Sequence, residues 1–66
     1  MLKTYYILVN GQNKYYDDRY ELWDNSILDA QRFVNFDKAL KASEELNRYG
    51  QNANPCRVEV NIKVFE

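Results

Sequence analysis

The alternation of apolar and polar positions is clearest near the C-terminal end of the chain. Cys56, Val58, Val60, Ile62 and Val64 alternate with Arg57, Glu59, Asn61 and Lys63. A period of two sends the first set to one side of a strand and the second set to the other. This predicts a half-buried strand with Cys56 on its dry face. Residues 3–10 also have strand chemistry, being rich in aromatic and β-branched types. Here both alternating sets are apolar: Tyr5, Ile7 and Val9 on one side, Leu2, Tyr6 and Leu8 on the other. A strand apolar on both faces belongs in the middle of a sheet, covered from both sides. Asn10-Gly11-Gln12-Asn13 follows and reads as a hairpin turn, because Asn and Gly tolerate positive φ. A second strand is expected from about Lys14 to Asp18. It either bends at Asp17-Asp18 or continues into Tyr20-Glu21-Leu22-Trp23, where Tyr20 and Leu22 share one parity and Trp23 has the other.

The period changes in the second half. Phe36, Ala39, Leu40, Ser43 and Leu46 recur at the i, i+3, i+4, i+7 spacing, which predicts an amphipathic helix over 36–49. Asn35 is a good N-cap. Asp37 near the start and Arg48 near the end suit the helix dipole, and Gly50 is placed as the C′ residue. Asp24-Asn25-Ser26 is turn chemistry, and Gln51 to Pro55 reads as a loop. The stretch 27–34 fits two descriptions. Ile27, Ala30 and Val34 suit a short helical turn, whereas Arg32-Phe33-Val34 suits a short strand. The order is β-β-(β/turn)-α-β. It implies an α+β fold: a small antiparallel sheet of three to four strands with one helix packed on one face.

Sixty-six residues form a single domain over 1–66. A chain of this size buries only about 60% of its unfolded surface. With one cysteine, Cys56, it has no internal disulfide to add stability. An unpaired thiol points to a reducing compartment, hence the cytoplasm. The parity of Cys56 with Val58 and Val60 makes it a core residue rather than a nucleophile. The apolar run at the N-terminal end is too short for a signal-peptide core or a membrane span.

Candidate chemistry is sparse. There is no histidine, and Thr4, Ser26 and Ser43 are the whole hydroxyl supply apart from tyrosine. Asp17, Asp18, Glu21, Asp24 and Asp29 form the densest carboxylate region. Hard cations favour such clusters, but Arg19 interrupts this one and the spacing is not that of a calcium loop. It reads as a solvated acidic turn. No catalytic residue, cofactor or metal ligand is therefore assigned, and the expected function is non-catalytic. The formal net charge of −1 argues against unaided phosphate binding and against an acidic DNA mimic.

The aromatic load is high: six tyrosines, three phenylalanines and a tryptophan. In Tyr5-Tyr6 and Tyr15-Tyr16, strand parity sends one member of each pair away from the helix. Ile7 and Val9 share parity with Tyr5, which favours Tyr5 in the core and Tyr6 outward. Tyr6, Leu8, Tyr15, Tyr16, Tyr20 and Trp23 are thus the candidate partner-binding residues, although Tyr15 and Tyr16 cannot be ordered without the hairpin register. Such a patch suits a protein partner, since Tyr and Trp are favoured at interfaces. It also suits nucleobase stacking, or it is simply covered by residues 19–34. A second copy of the chain is another simple cover for the first strand's second face, making a homodimer.

Asp29-Ala30-Gln31-Arg32-Phe33-Val34-Asn35-Phe36-Asp37-Lys38-Ala39-Leu40-Lys41-Ala42 resembles a pattern in small phage and bacterial proteins of unassigned function. In these an Ala-x-x-Phe segment leads into a capped amphipathic helix and a Val-rich strand follows. The resemblance implies an accessory protein that binds and modulates or inhibits a host protein. It carries over no functional residue.

Overall fold

A computed structural model describes residues 2–63. The elements are β1 (Leu2–Val9), β2 (Tyr15–Asp17), β3 (Leu22–Asp24), a 3-10 turn (Ile27–Asp29), α1 (Phe36–Asn47) and β4 (Asn54–Asn61). The strands form one antiparallel sheet in the order β3-β2-β1-β4. With one helix against it, this is the α+β architecture that the pattern implied. Val64, assigned above to the last strand, lies outside the described residues.

The β1–β2 connection is a hairpin, with its left-handed residue at Asn13 (φ 59°) rather than at Asn10 or Gly11. Asn10 N–H donates to the Lys14 carbonyl, and the Asn10 side-chain oxygen accepts from the N–H groups of Gln12 and Lys14. A type I turn closed by one left-handed residue is a standard three-residue hairpin loop. Gly11 serves a different purpose: a Cβ there would lie 2.5 Å from Asn52 Nδ2. The β2–β3 connection also closes on a left-handed residue, Glu21 (φ 50°).

α1 begins as its sequence signals require, with the Asn35 side chain accepting from Lys38 N–H at 2.9 Å. It ends in a Schellman motif around Gly50 (φ 75°). Gln51 N–H reaches the Leu46 carbonyl and Gly50 N–H reaches that of Asn47. The Asn47 amide then holds the returning chain, donating to the Ala53 carbonyl and accepting from Ala53 N–H. The helix buries Ala39 and Ser43 and half-buries Leu40, Ala42 and Leu46. Phe36, placed on the packed stripe by periodicity, is largely exposed and meets the edge of Tyr6 at 5.9 Å between ring centroids.

The register fixes which residues share a face. Tyr5 pairs with Val58 and Ile7 with Cys56, so the Tyr5-Ile7-Val9 set lies with Cys56, Val58 and Val60. Tyr6 and Leu8 lie on the other face, where Leu8 forms the core with Ala39 and Ala53 beneath α1. Tyr6, Tyr16, Trp23, Phe33, Ala42 and Leu46 pack around it. β1 is indeed central and apolar on both sides: Ile7 is 1% exposed and Leu8 0%.

The stretch 27–34 takes both of its expected forms, one after the other. Ile27–Asp29 is a 3-10 turn. Phe33 then makes an isolated antiparallel bridge to Tyr6, donating to and accepting from its backbone. Gln31 N–H donates to the Tyr16 carbonyl at 2.9 Å. Residues 31–33 therefore fill the gap where β1 and β2 diverge.

Candidate functional site

Aromatic residues on the helix side of the sheet are structural. Tyr6 packs under α1, which reverses the expectation of Tyr6 outward and Tyr5 in the core. Parity could not decide this, because both sets on β1 are apolar. The helix settled on the Tyr6–Leu8 side, and on the other face Ile7 is buried beside Asp17, whose partner Arg19 also reaches Asp29. Leu8 is fully buried, so it cannot contact a partner. Tyr16 meets Trp23 edge-on at 5.3 Å, directly across the β2–β3 ladder, and the Trp23 indole N–H donates to Gln51 Oε1 at 2.8 Å. Burial foremost, with the Glu21, Asp18 and Asp17 carboxylates adding to it, pushes the Tyr16 phenol above its usual pKa. Tyr20 is exposed at the β2–β3 turn, under the Arg19 guanidinium. Of the expected patch, then, Tyr6, Leu8, Tyr16 and Trp23 belong to the helix-side packing, while Tyr15 is half-buried on the opposite face and Tyr20 stands apart.

The carboxylate region is not a uniformly solvated turn. Asp17 is buried at 2% exposure, on the same face as Ile7. Its carboxylate accepts Arg19 Nε at 3.1 Å on one oxygen and a terminal Arg19 nitrogen at 2.9 Å on the other, and it also accepts Arg19 N–H. The same guanidinium reaches Asp29 at 3.3 Å, tying the 3-10 turn to that face. The side-chain hydrogen bond from Arg19 holds the Asp17 carboxyl below the usual carboxylate range. Both Asp17 oxygens are thus committed to Arg19.

What the fold leaves open is the remainder of that face. Beyond Ile7 it carries Tyr5 across from Val58 and Lys3 across from Val60. Arg32 lies over the Tyr5 ring at 4.8 Å. Lys3, Tyr5, Arg32, Phe33 and Val34 line a shallow depression of about 180 Å³ there. Val60 and Ile62 are exposed, Val58 is half-buried, and Cys56 sits exposed at the margin. The core placement of Cys56 is therefore corrected: its face is the expected one, but the side chain is exposed there. A second cleft, of about 250 Å³, lies where the hairpin tip meets the end of α1 and is lined by amide side chains and Trp23. Sequence reasoning missed Tyr5, Arg32 and Val60 as surface residues. The available signal was Arg32, a cation close to the inserted Phe33 and able to lie over a neighbouring ring.

Among the described residues no helix is long and apolar enough to cross a membrane, and no group of His, Cys, Asp or Glu is arranged to hold a metal ion. No family model matches the chain, and comparisons with curated proteins and with solved structures likewise find no match.

Proposed function

We propose that this protein is a non-catalytic binding module that engages a protein partner through the sheet face opposite α1. The observation that carries this reading is the strip of half-buried Tyr5 and Val58 and exposed Val60 and Ile62, beside the Arg32 and Lys3 cations. An aromatic and an arginine set among aliphatic residues is the composition of an interface centre. The resemblance to small phage and bacterial proteins suggests the kind of partner: a host protein that is modulated or inhibited. An exposed, unpaired Cys56 is in keeping with a reducing cytoplasm.

The test is affinity capture from a host lysate, followed by measured binding of the captured protein to variants. Tyr5→Ala should weaken binding by about 2 kcal/mol or more, as loss of an interface anchor does. Lys41→Glu, on the exposed side of α1, should leave it unchanged. The reverse result would move the binding surface to the helix.

The Arg32–Tyr5 pair with Lys3 also favours a second reading, a small single-stranded nucleic-acid binder that stacks bases on this face. Against it, Arg32 already occupies one side of the Tyr5 ring. A salt titration separates the two: phosphate-driven binding falls steeply with salt, and apolar protein contact changes little.

A further inference from the structure

The exposed backbone of β4 offers a second, more specific surface. β4 is an edge strand eight residues long, whereas the opposite edge, β3, has three. Tyr6 turns its N–H and carbonyl toward Phe33, so its neighbours Tyr5 and Ile7 turn theirs toward β4. Val58 and Cys56 answer them. The backbone groups of Arg57, Glu59 and Asn61 consequently point out of the sheet, and no described hydrogen bond uses them. Pro55 near the start of β4 withholds one N–H from this edge, and the charged Arg57 and Glu59 admit only a partner strand that matches them.

We infer that two copies of the chain pair antiparallel along β4, with the two-fold axis at Val58, to make a continuous eight-stranded sheet. Register decides where the axis falls. A two-fold ladder that uses outward-pointing groups must pair odd-numbered residues with odd-numbered ones. Two such registers use nearly the whole strand. Centring on Arg57 sets Arg57 against the partner's Arg57, like charges directly opposed. Centring on Val58 sets each Arg57 against the partner's Glu59, and the two in-chain Arg57–Glu59 ion pairs (3.0 Å) merge into an alternating cluster of four charges. On the other face the same register sets Val58 against Val58 of the partner subunit and Cys56 against the partner's Val60. Both faces are thus matched at once, charge with opposite charge and apolar with apolar. Shifting the axis to Glu59 opposes two glutamates, and shifting it to Cys56 or Val60 leaves the Arg57–Glu59 pairing unmade. The open strip of each copy also becomes continuous with that of the other through the Val58–Val58 and Cys56–Val60 neighbours. This pairing is independent of whether that face binds another protein.

Sedimentation equilibrium of the full chain, from low micromolar to near-millimolar concentration, should show a species of twice the 7.9 kDa chain mass. Arg57→Glu or Glu59→Arg alone should weaken the dimer about tenfold or more, since each reverses two symmetry-related cross-strand pairs. Combining the two should restore the dimer to within about threefold of the original. In a Cys56→Ser background, Val58→Cys should oxidise to a covalent dimer, because a non-hydrogen-bonded antiparallel pair brings its Cα atoms to about 4.5 Å, within disulfide reach. Melting curves by circular dichroism accompany each variant, and the cross-link decides if a charge variant fails to fold. A monomer throughout the range overturns the proposal. So does a dimer indifferent to both charge reversals, or one in which the thiol introduced by Val58→Cys stays reduced.

Discussion

Asp17 and Arg19 lie two residues apart, and their pairing joins three segments of chain: β2, the β2–β3 turn and the 3-10 turn at Asp29. A carboxylate this buried is tolerable only with its lone pairs filled. Since Arg19 lowers the Asp17 pKa, the native state binds that proton less readily than the unfolded chain does. The stability Asp17 contributes is fully present above its unfolded value of about 3.9 and is lost as pH falls through that value toward the lower folded one. In urea unfolding, Asp17→Asn should be less stable than wild type at neutral pH, and the gap should narrow as the solution is acidified below about pH 4. A gap that does not change with pH would mean that the ion pair is not what Asp17 supplies. Tyr16 has the opposite sign: its raised pKa gives stability that is present below about pH 10 and lost as pH rises through its folded value. Among apolar residues, Leu8→Ala should cost about 2–5 kcal/mol, the range for a fully buried leucine. Leu40→Ala should cost less, because Leu40 is half-buried and lies outside the central cluster. Equal effects on the melting temperature would show that the helix packs more deeply through Leu40 than this.

At the scale of elements, α1 is defined by its two ends. Asn35→Ala removes the side-chain acceptor for Lys38 N–H and should cost about 1 kcal/mol. Gly50→Ala meets no steric obstacle, since no atom lies within 4 Å of the added Cβ, yet it forces an L-residue to φ 75°. Its cost of about 1–2 kcal/mol is thus conformational, and Gly50→Asn should recover part of it in thermal melts. These ends were legible in the sequence because capping is local: the residue and the backbone group it serves are a few positions apart. The order of elements along the chain and the α+β class were legible for the same reason, through periodicity and turn residues. The face that the helix covers was not. On β1 both parities are apolar, so Tyr5 and Tyr6 differ only in what arrives from distant segments: α1 and Phe33 at Tyr6, Arg32 at Tyr5. Cys56 shows the same limit. Its alternation with Arg57 gave its face correctly, but whether that face is wet depends on how far a separate loop reaches across the sheet.

For the whole molecule, burial is concentrated at one end. The principal extents are 48 × 23 × 19 Å. Ile7, Leu8, Ala39 and Ala53 are buried, while Leu2, Lys3, Thr4, Glu59, Val60 and Asn61 at the far end of the β1–β4 ladder are exposed. Local opening needs least free energy where little apolar surface is buried, so stability should fall along this ladder. Amide hydrogen exchange reads it directly. At low protein concentration Val60 N–H, opposite Lys3, should exchange faster than Cys56 N–H, opposite Ile7. Along β4, the inward amides of Cys56, Val58 and Val60 should be protected, and the outward amides of Arg57, Glu59 and Asn61 should exchange close to the rate of an unstructured peptide. Raising the concentration should then slow Arg57, Glu59 and Asn61 selectively, because pairing of two β4 edges supplies acceptors to the amides that lack them within the chain. For Asn61 that acceptor is the partner's Pro55 carbonyl, and Pro55, having no N–H, returns no bond. Glu59 and Arg57 should therefore gain more protection than Asn61. Uniform exchange along β4 at low concentration would contradict the β1–β4 register itself, whereas a concentration effect spread equally over inward and outward amides would place the contact somewhere other than this edge.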